Sequence, residues 1–306
     1  MRSGAFFSKG KLLLSGEYFV LYGAKALAVP LQFGQKMLVC EIPRSGMIEW
    51  ETYVLDKLWF TARFRLKNMA ILDSSDQNTA VFIHDLLAEG GKLHPELQLS
   101  DKGFSVQNYI DFDIRWGLGS SSSLVSNLAY WLDADPYALY RSTFRGSGYD
   151  VFCARANGPV TFQLKDDNCE IHEVPFKPAF ADHLYFIYLG RKQDSQESVR
   201  KFKVQPLKDD KIIHQVSALT DAFVKSTDFE DFLSVMRLHE DIISAAIGLP
   251  VVKREIFPDF PGEIKSLGAW GGDFVMAATT MEPEEVKKYF SKKNLPVIFR
   301  WQEIVC

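Results

Sequence analysis

The stretch WGLGSSSS, Trp116–Ser123, sets two glycines and four serines between two segments of regular hydrophobic pattern. Glycine loses the most backbone freedom on ordering and serine buries little apolar surface, so neither residue builds a core. The flanks place the stretch. Before it, Phe104, Val106, Ile110, Phe112 and Ile114 alternate with Ser105, Gln107, Asp111 and Asp113, the period of a half-buried strand. After it, Leu124, Leu128, Trp131 and Leu132 recur at helical spacing until Asp133-Ala134-Asp135-Pro136. The glycines therefore read as a strand-to-helix turn and the serines as the opening of the helix. A helix start presents backbone N–H groups and the positive end of the peptide dipoles, which suits a phosphate. An ordinary tight turn with a serine cap is the other reading of the same residues.

The 306 residues, 47% of them hydrophobic, suffice for a sizeable core in two lobes or one large domain. A net charge of −4 leaves no basic excess to track a nucleic-acid backbone, so a nucleic acid polymer is not an expected partner. No apolar run approaches the roughly 20 residues that span a bilayer, and the start MRSGAFFSKGK lacks the apolar region of a secretory signal. A cytoplasmic protein without a membrane partner is expected. Cys40, Cys153, Cys169 and Cys306 are scattered without a Cys-x-x-Cys pair, which reads as free thiols and no structural zinc.

Along the chain, KLLLSGEYFVLYGAKALAVPL reads as three strands separated by turns at Gly16 and Gly23. Leu58, Phe60, Ala62, Phe64 and Leu66 alternate with polar neighbours as a further strand, and Asn78 to Glu89 reads as a helix. A short helix from about Asp135, the turn RGSGYD and the strand GPVTFQL follow the serine-rich helix. From about Ala181, LYFIYL reads as a buried strand leading into a polar loop, then two helices marked by Val216, Leu219 and Phe223 and by Phe229 to Ile247. Thr227 with Glu230 predicts a capping box between them. GAWGGDFVMAA reads as a glycine turn entering a strand, EPEEVKKYFSKKN as a helix with Pro283 in its first turn, and PVIFRW as a closing strand. Strands and helices mix as α+β without strict βαβ alternation.

Neither a Walker-type loop nor an early Gly-x-Gly-x-x-Gly is present. Three separated elements stand instead, KGKLLLSGEYFVLYGAKALAVP from Lys9, GLGSSSS from Gly117 and LGAWGGDF from Leu267. In that order they resemble the GHMP kinases, the family of galactokinase, homoserine kinase, mevalonate kinase and phosphomevalonate kinase, over nearly the whole chain. The resemblance implies an α+β fold of two lobes, an N-terminal α/β lobe of mixed sheet and helices over residues 1–175 and a C-terminal ferredoxin-like lobe over 176–306. It implies ATP and Mg²⁺ as cofactors and a small-molecule alcohol as phosphoryl acceptor, and it admits a homodimer. Trp116, Gly117, Leu118, Gly119, Ser120, Ser121 and Ser122 would bind ATP, with Ser121 at the serine that helps hold magnesium. Lys11 matches the lysine of the first motif and Asp150 the catalytic aspartate. A carboxylate placed to take the proton of a hydroxyl, with a cation nearby, suits attack on a γ-phosphoryl. Glu17, Tyr18, Gly268, Ala269, Gly271 and Gly272 would line the acceptor side.

The sequence departs from the family pattern at several positions. Asp113 stands in place of a proline, Trp270 in place of a glycine, and Asp273 in place of glycine or another small residue. The stretch YALYRSTFRGSGYD before Asp150 lacks the glutamate that completes the magnesium site of mevalonate kinases. The first motif points to mevalonate as acceptor. Tyr18 and the basic residues Arg191, Lys192, Arg200 and Lys201 allow phosphomevalonate, and a sugar in the manner of galactokinase is a further alternative. The departures also allow a different class, a nucleotide-binding regulator impaired in catalysis.

Overall fold

The computed structural model describes residues 3–44, 46–93, 102–165, 168–190, 210–268, 270 and 273–306. Its chain forms two compact units, one of Met1–Gly10, Phe33–Ile114 and Leu118–Arg155, the other of Lys11–Gln32, Arg115–Gly117 and Ala156–Cys306. These units are interleaved in sequence, where the expectation was two consecutive segments, 1–175 and 176–306. Two long strands, β1 (Gly4–Ser15) and β2 (Ala26–Ile42), contribute residues to both.

In the first unit, β3 (Met47–Val54), β4 (Lys57–Arg65), β5 (Ala70–Ser74) and β6 (Gly103–Ile110) join the Gln35–Ile42 part of β2 in the order β5-β4-β3-β6-β2. β3 and β6 run parallel and the other pairs antiparallel, so the sheet is mixed. The alternation read before the glycine turn holds in β6, where Phe104, Val106 and Ile110 are buried between half-exposed neighbours. In β4 Phe60, Ala62 and Phe64 are buried, but Leu58 at the start of the strand is exposed. Four helices accompany the sheet: α1 (Gln77–Leu93), α2 (Ser120–Leu132), α3 (Pro136–Thr143) and α4 (Tyr149–Cys153). Leu86, Leu87, Val125, Leu128 and Leu132 bury against Trp50, Phe64, Phe104 and Val106.

The second unit holds the hairpin β7 (Val160–Lys165) and β8 (Asn168–Glu173), with β7 paired to Ala26–Ala28 of β2. It also holds an antiparallel sheet of β9 (Leu184–Tyr188), β10 (Glu263–Leu267), β11 (Phe274–Ala278) and β12 (Ile298–Arg300), ordered β10-β11-β9-β12. Helices α5 (Lys211–Lys225) and α6 (Phe229–Ile247) lie in the chain between β9 and β10, and α8 (Pro283–Lys292) between β11 and β12. That chain order and strand order make the expected ferredoxin-like arrangement. A short α7 (Val252–Ile256) precedes β10, and α9 (Trp301–Ile304) follows β12. Among the described residues no helix is long and apolar enough to cross a membrane.

Two local expectations are corrected. Phe19–Tyr22 is a 3-10 turn rather than a strand, because Gly16 (φ 94°), Tyr18 (φ 59°) and Gly23 (φ 88°) turn the chain too tightly for an extended segment between them. The cap of α6 is Asp228, whose carboxylate accepts from Glu230 N at 2.9 Å and Asp231 N at 3.2 Å, in place of the expected Thr227 and Glu230 box. A carboxylate one residue nearer the helix meets the same amides and adds favourable charge at the dipole.

Helix α2 is seated by buried polar groups as well as by leucines. Asn127 Nδ2 donates to Gln35 O at 2.9 Å while its Oδ1 accepts from Ser8 Oγ at 2.7 Å. Ser123 Oγ donates to Gln35 Oε1 at 2.9 Å, and Arg155 reaches Ser126 Oγ at 2.8 Å and Phe7 O at 2.9 Å. A buried polar group left without its partner costs roughly 1–3 kcal/mol. Asn127→Ala, which strands both Ser8 Oγ and Gln35 O, is therefore expected to lower stability by about 2–4 kcal/mol in urea titration.

Candidate functional site

The chain leaves β6, passes a 3-10 turn over Ile114–Trp116, and enters α2 through Gly117 (φ 68°) and Gly119 (φ 97°). Both glycines occupy the left-handed region, where a side chain is strained. Leu118 between them is fully buried and anchors the turn. Gly119 is the residue before the helix and, having no side chain, provides no cap for its first amides. The serines divide their duties. Ser122 Oγ bonds back to Gly119 O at 3.0 Å, and Ser123 Oγ turns inward to Gln35 and to Ser120 O at 3.0 Å. Ser121 is exposed and Ser120 half-exposed. The hydroxyl of Ser122, expected on ATP, is thus spent inside the turn, and that residue has only its amide to offer. An uncapped helix start offers backbone amides and the positive end of the helix dipole, the features that favour an anion.

Lys11, on β1, reaches the same turn, with Nζ donating to Gly117 O at 3.3 Å. Trp116 lies with its ring centroid 5.4 Å from that of Phe299 and 6.4 Å from that of Tyr188, so its indole serves packing in its unit. Asp150 stands in the first turn of α4, whose preceding residue, Gly148, has φ 88°. A Cβ at Gly148 would crowd the Tyr137 ring. Asp150 Oδ1 accepts from Val151 N at 3.2 Å, and α4 packs against both α2 and α3. Burial, aided by the nearby Asp150 charge, pushes the Tyr140 hydroxyl well above its ordinary range. The aspartate and the start of α2 therefore belong to one unit and to contacting helices.

Glu17, expected at the acceptor, lies inside instead. It is 0% exposed and its Oε1 accepts from Lys265 Nζ at 2.5 Å, while His239 Nε2 lies 3.2 Å from its Oε2. Lys265 also donates to Ser266 O at 2.9 Å and has the Glu240 carboxyl 3.8 Å away. Lys265, His239 and Glu240 were not picked out by the sequence pattern; a lysine within the apolar strand ahead of the third glycine motif was the available signal. Burial pushes the Glu17 carboxyl up against the pull of Lys265. Burial and the Glu17 charge push Glu240 to about 8, again opposed by Lys265. Burial, reinforced by Lys265, holds His239 well below its usual range. Lys265 thus stands between two buried carboxyls, beside an imidazole that burial keeps neutral.

The same region ties the first motif to the third. The Tyr18 hydroxyl accepts from Trp270 N at 3.0 Å, and Trp270 Nε1 donates to Pro250 O at 3.0 Å. The Trp270 ring packs with Phe19, Ala24, Val216 and Ile243. Gly268 has φ 66°, consistent with a tight turn. Ala269, Gly271 and Gly272 lie outside the described residues, as do Arg191, Lys192, Arg200 and Lys201. Among the described residues, no three His, Cys, Asp or Glu side chains converge to hold a metal ion.

No family model matches the sequence, and no curated protein matches it. The fold does match solved structures. The chain is similar to the Methanococcus jannaschii mevalonate kinase, with a TM-score of 0.67 and 18% identity over 97% of each chain. It is similar to the Streptococcus pneumoniae phosphomevalonate kinase in complex with phosphomevalonate and AMPPNP, with a TM-score of 0.71 and 18% identity over 97% of this chain and 99% of that one. A D-glycero-D-manno-heptose 1-phosphate kinase from Bacteriodes thetaiotaomicron gives a TM-score of 0.67 and 16% identity over 98% and 95%. These likenesses establish the fold.

The buried cluster dictates a pH response. Glu240's contribution to stability is complete below its unfolded value of 4.5 and is lost as pH rises through about 8, and Glu17 acts in the same direction. His239 opposes them only below 6.5, where falling pH asks a buried imidazole to charge. Between these limits a single retained proton tilts stability by about 1.4 kcal/mol per pH unit. Urea titrations at pH 6.5 and 8 are expected to show the wild type losing about 1–2 kcal/mol and Glu240→Gln losing much less.

Proposed function

We propose that this protein is an ATP-dependent kinase of a small-molecule alcohol, with mevalonate as the favoured acceptor. The observation that carries the reading is the uncapped start of α2 at Gly119, held in a left-handed turn. Backbone amides there would take the nucleotide phosphates without a lysine-bearing loop. Lys11 at Gly117 O adds positive charge to the turn. The fold neighbours include proteins named as mevalonate, phosphomevalonate and heptose-phosphate kinases, which supports phosphoryl transfer and leaves the acceptor to be measured.

In this reading the acceptor hydroxyl lies against Asp150, which takes its proton as the oxygen attacks the γ-phosphoryl. The contact of α4 with α2 keeps the base and the phosphate cradle in one unit. Magnesium fits the donors present: hard oxygens, with Ser121 exposed in the first turn of α2, suit an ion that keeps several waters and takes much of its shell from phosphates. Mg²⁺ would neutralise charge on the triphosphate. Phosphomevalonate remains the alternative acceptor.

Steady-state assays of mevalonate, phosphomevalonate, galactose and homoserine with Mg-ATP separate the acceptors, and inactivity on all of them contradicts the assignment. On the active substrate, Asp150→Asn is expected to lower kcat by about 10²–10⁴-fold with little change in nucleotide affinity. Near-normal turnover would leave Asp150 as a turn residue.

A further inference from the structure

The turn from Phe144 to Gly148 joins α3 to α4, and it is shaped around one side chain of α3. Tyr140 is 6% exposed, and its ring stacks on Phe144 with centroids 4.9 Å apart and planes 9° from parallel. Phe144 in turn meets Phe82 of α1 edge to face at 5.9 Å, so the phenol is fixed in the core of the first unit. Its hydroxyl lies against the turn. A Cβ built on Gly146 would overlap the Tyr140 oxygen, and the Gly148 amide donates to that oxygen. Gly146 does not have a left-handed φ, so its backbone admits a side chain and the hydroxyl is what excludes one. A Cβ on Gly148 would crowd the Tyr137 ring, which packs with Phe152 of α4 at 5.3 Å between centroids.

Asp150 follows Gly148 by two residues, and its place is set by that turn. Val151 N donates to Gly148 O at 3.2 Å and Ala154 N to Asp150 O at 3.0 Å, so α4 is wound directly onto the residue whose amide Tyr140 holds. The helix has only 5 residues. So short a helix has few hydrogen bonds of its own, and contacts outside it decide where its first-turn carboxylate points. The Asp150 charge acts on the phenol, which puts the two groups in one neighbourhood. A general base works only within hydrogen-bond reach of the proton it takes, and a displacement of about 1 Å can cost roughly 100-fold in rate.

We propose that Tyr140 is a positioning residue for Asp150: its hydroxyl clamps the Gly146–Gly148 turn and thereby sets where α4 presents the carboxylate. The proposal rests on the reading of Asp150 as the proton acceptor. Tyr140 acts through the aspartate, so its loss bears on kcat and leaves nucleotide binding alone.

The test uses the full chain on the active acceptor with Mg-ATP, each variant checked for folding by circular dichroism. Tyr140→Phe keeps the stacked ring and removes the clamp, and is expected to lower kcat about tenfold with KM for acceptor and for Mg-ATP within about twofold. In an Asp150→Asn background the same change should cost less than about twofold, because both act on one step. Gly146→Ala reaches the contact from the side of the turn. It should lower kcat by a similar factor, and combined with Tyr140→Phe it should cost nothing further, since the oxygen that its methyl meets is gone. Wild-type kcat in Tyr140→Phe, an equal loss in the Asp150→Asn background, or additive losses from Tyr140→Phe and Gly146→Ala overturns the proposal and leaves Asp150 in its role. Near-normal turnover in Asp150→Asn, or a wild type inactive on every acceptor, overturns the reading of the aspartate and the proposal with it.

Discussion

A helix that begins on a glycine must find partners for its first amides outside its own side chains, and α2 begins that way. The constraint organises its surroundings. Gly119 accepts the left-handed backbone, Leu118 anchors the turn in the interior, and Ser122 and Ser123 fold their hydroxyls back onto the turn and onto Gln35. Asn127 and Arg155 then seat the helix against β1 and β2 within the first unit. The Ser122, Ser123, Asn127 and Arg155 contacts spend polar groups on holding this helix in place, a use that packing alone does not require.

The second unit meets a comparable demand with charge. The Glu17–Lys265 pair is fully buried, and removing one partner of such a pair typically costs about 3–5 kcal/mol because the other is left charged and unpaired. A hydrophobic pair of equal volume would be at least as stable, so stability alone does not account for it. What the pair does provide is registry: it joins the turn after β1 to the strand that precedes Gly268, and the hydrogen bond from Trp270 N to the Tyr18 hydroxyl joins the same two segments again. Two glycine motifs far apart in sequence are thereby held to one geometry.

Features with local chemistry were legible in the sequence. The strand, the glycine turn and the serine-opened helix around Trp116–Ser123 were read from period and residue type, whereas Asp150 was singled out only by the resemblance, from its place after Gly148. Partnerships across the chain were not. Lys265 and Glu17 are separated by 248 positions, and a lysine in a short apolar strand carries no sign of what it meets. The Asp273 substitution was visible, but its approach to Gly117 depends on the pairing of β9 with β11. Thr227 and Asp228 are both good caps, and only the backbone path chose between them. The segment Phe19–Tyr22 has the composition of a strand, and the left-handed Tyr18 that makes it a turn is not a residue type that signals one.

The central claim is that phosphate binds at the amides opening α2. Amide chemical shifts of the ¹⁵N-labelled chain, followed as Mg-AMPPNP is added, address it directly. The account predicts that the resonances of Gly119, Ser120 and Ser121 move with saturation, and that Gly119→Val, which crowds the turn with a β-branched side chain, abolishes the movement while the rest of the spectrum stays folded. Saturable nucleotide binding that leaves these amides unmoved would contradict it.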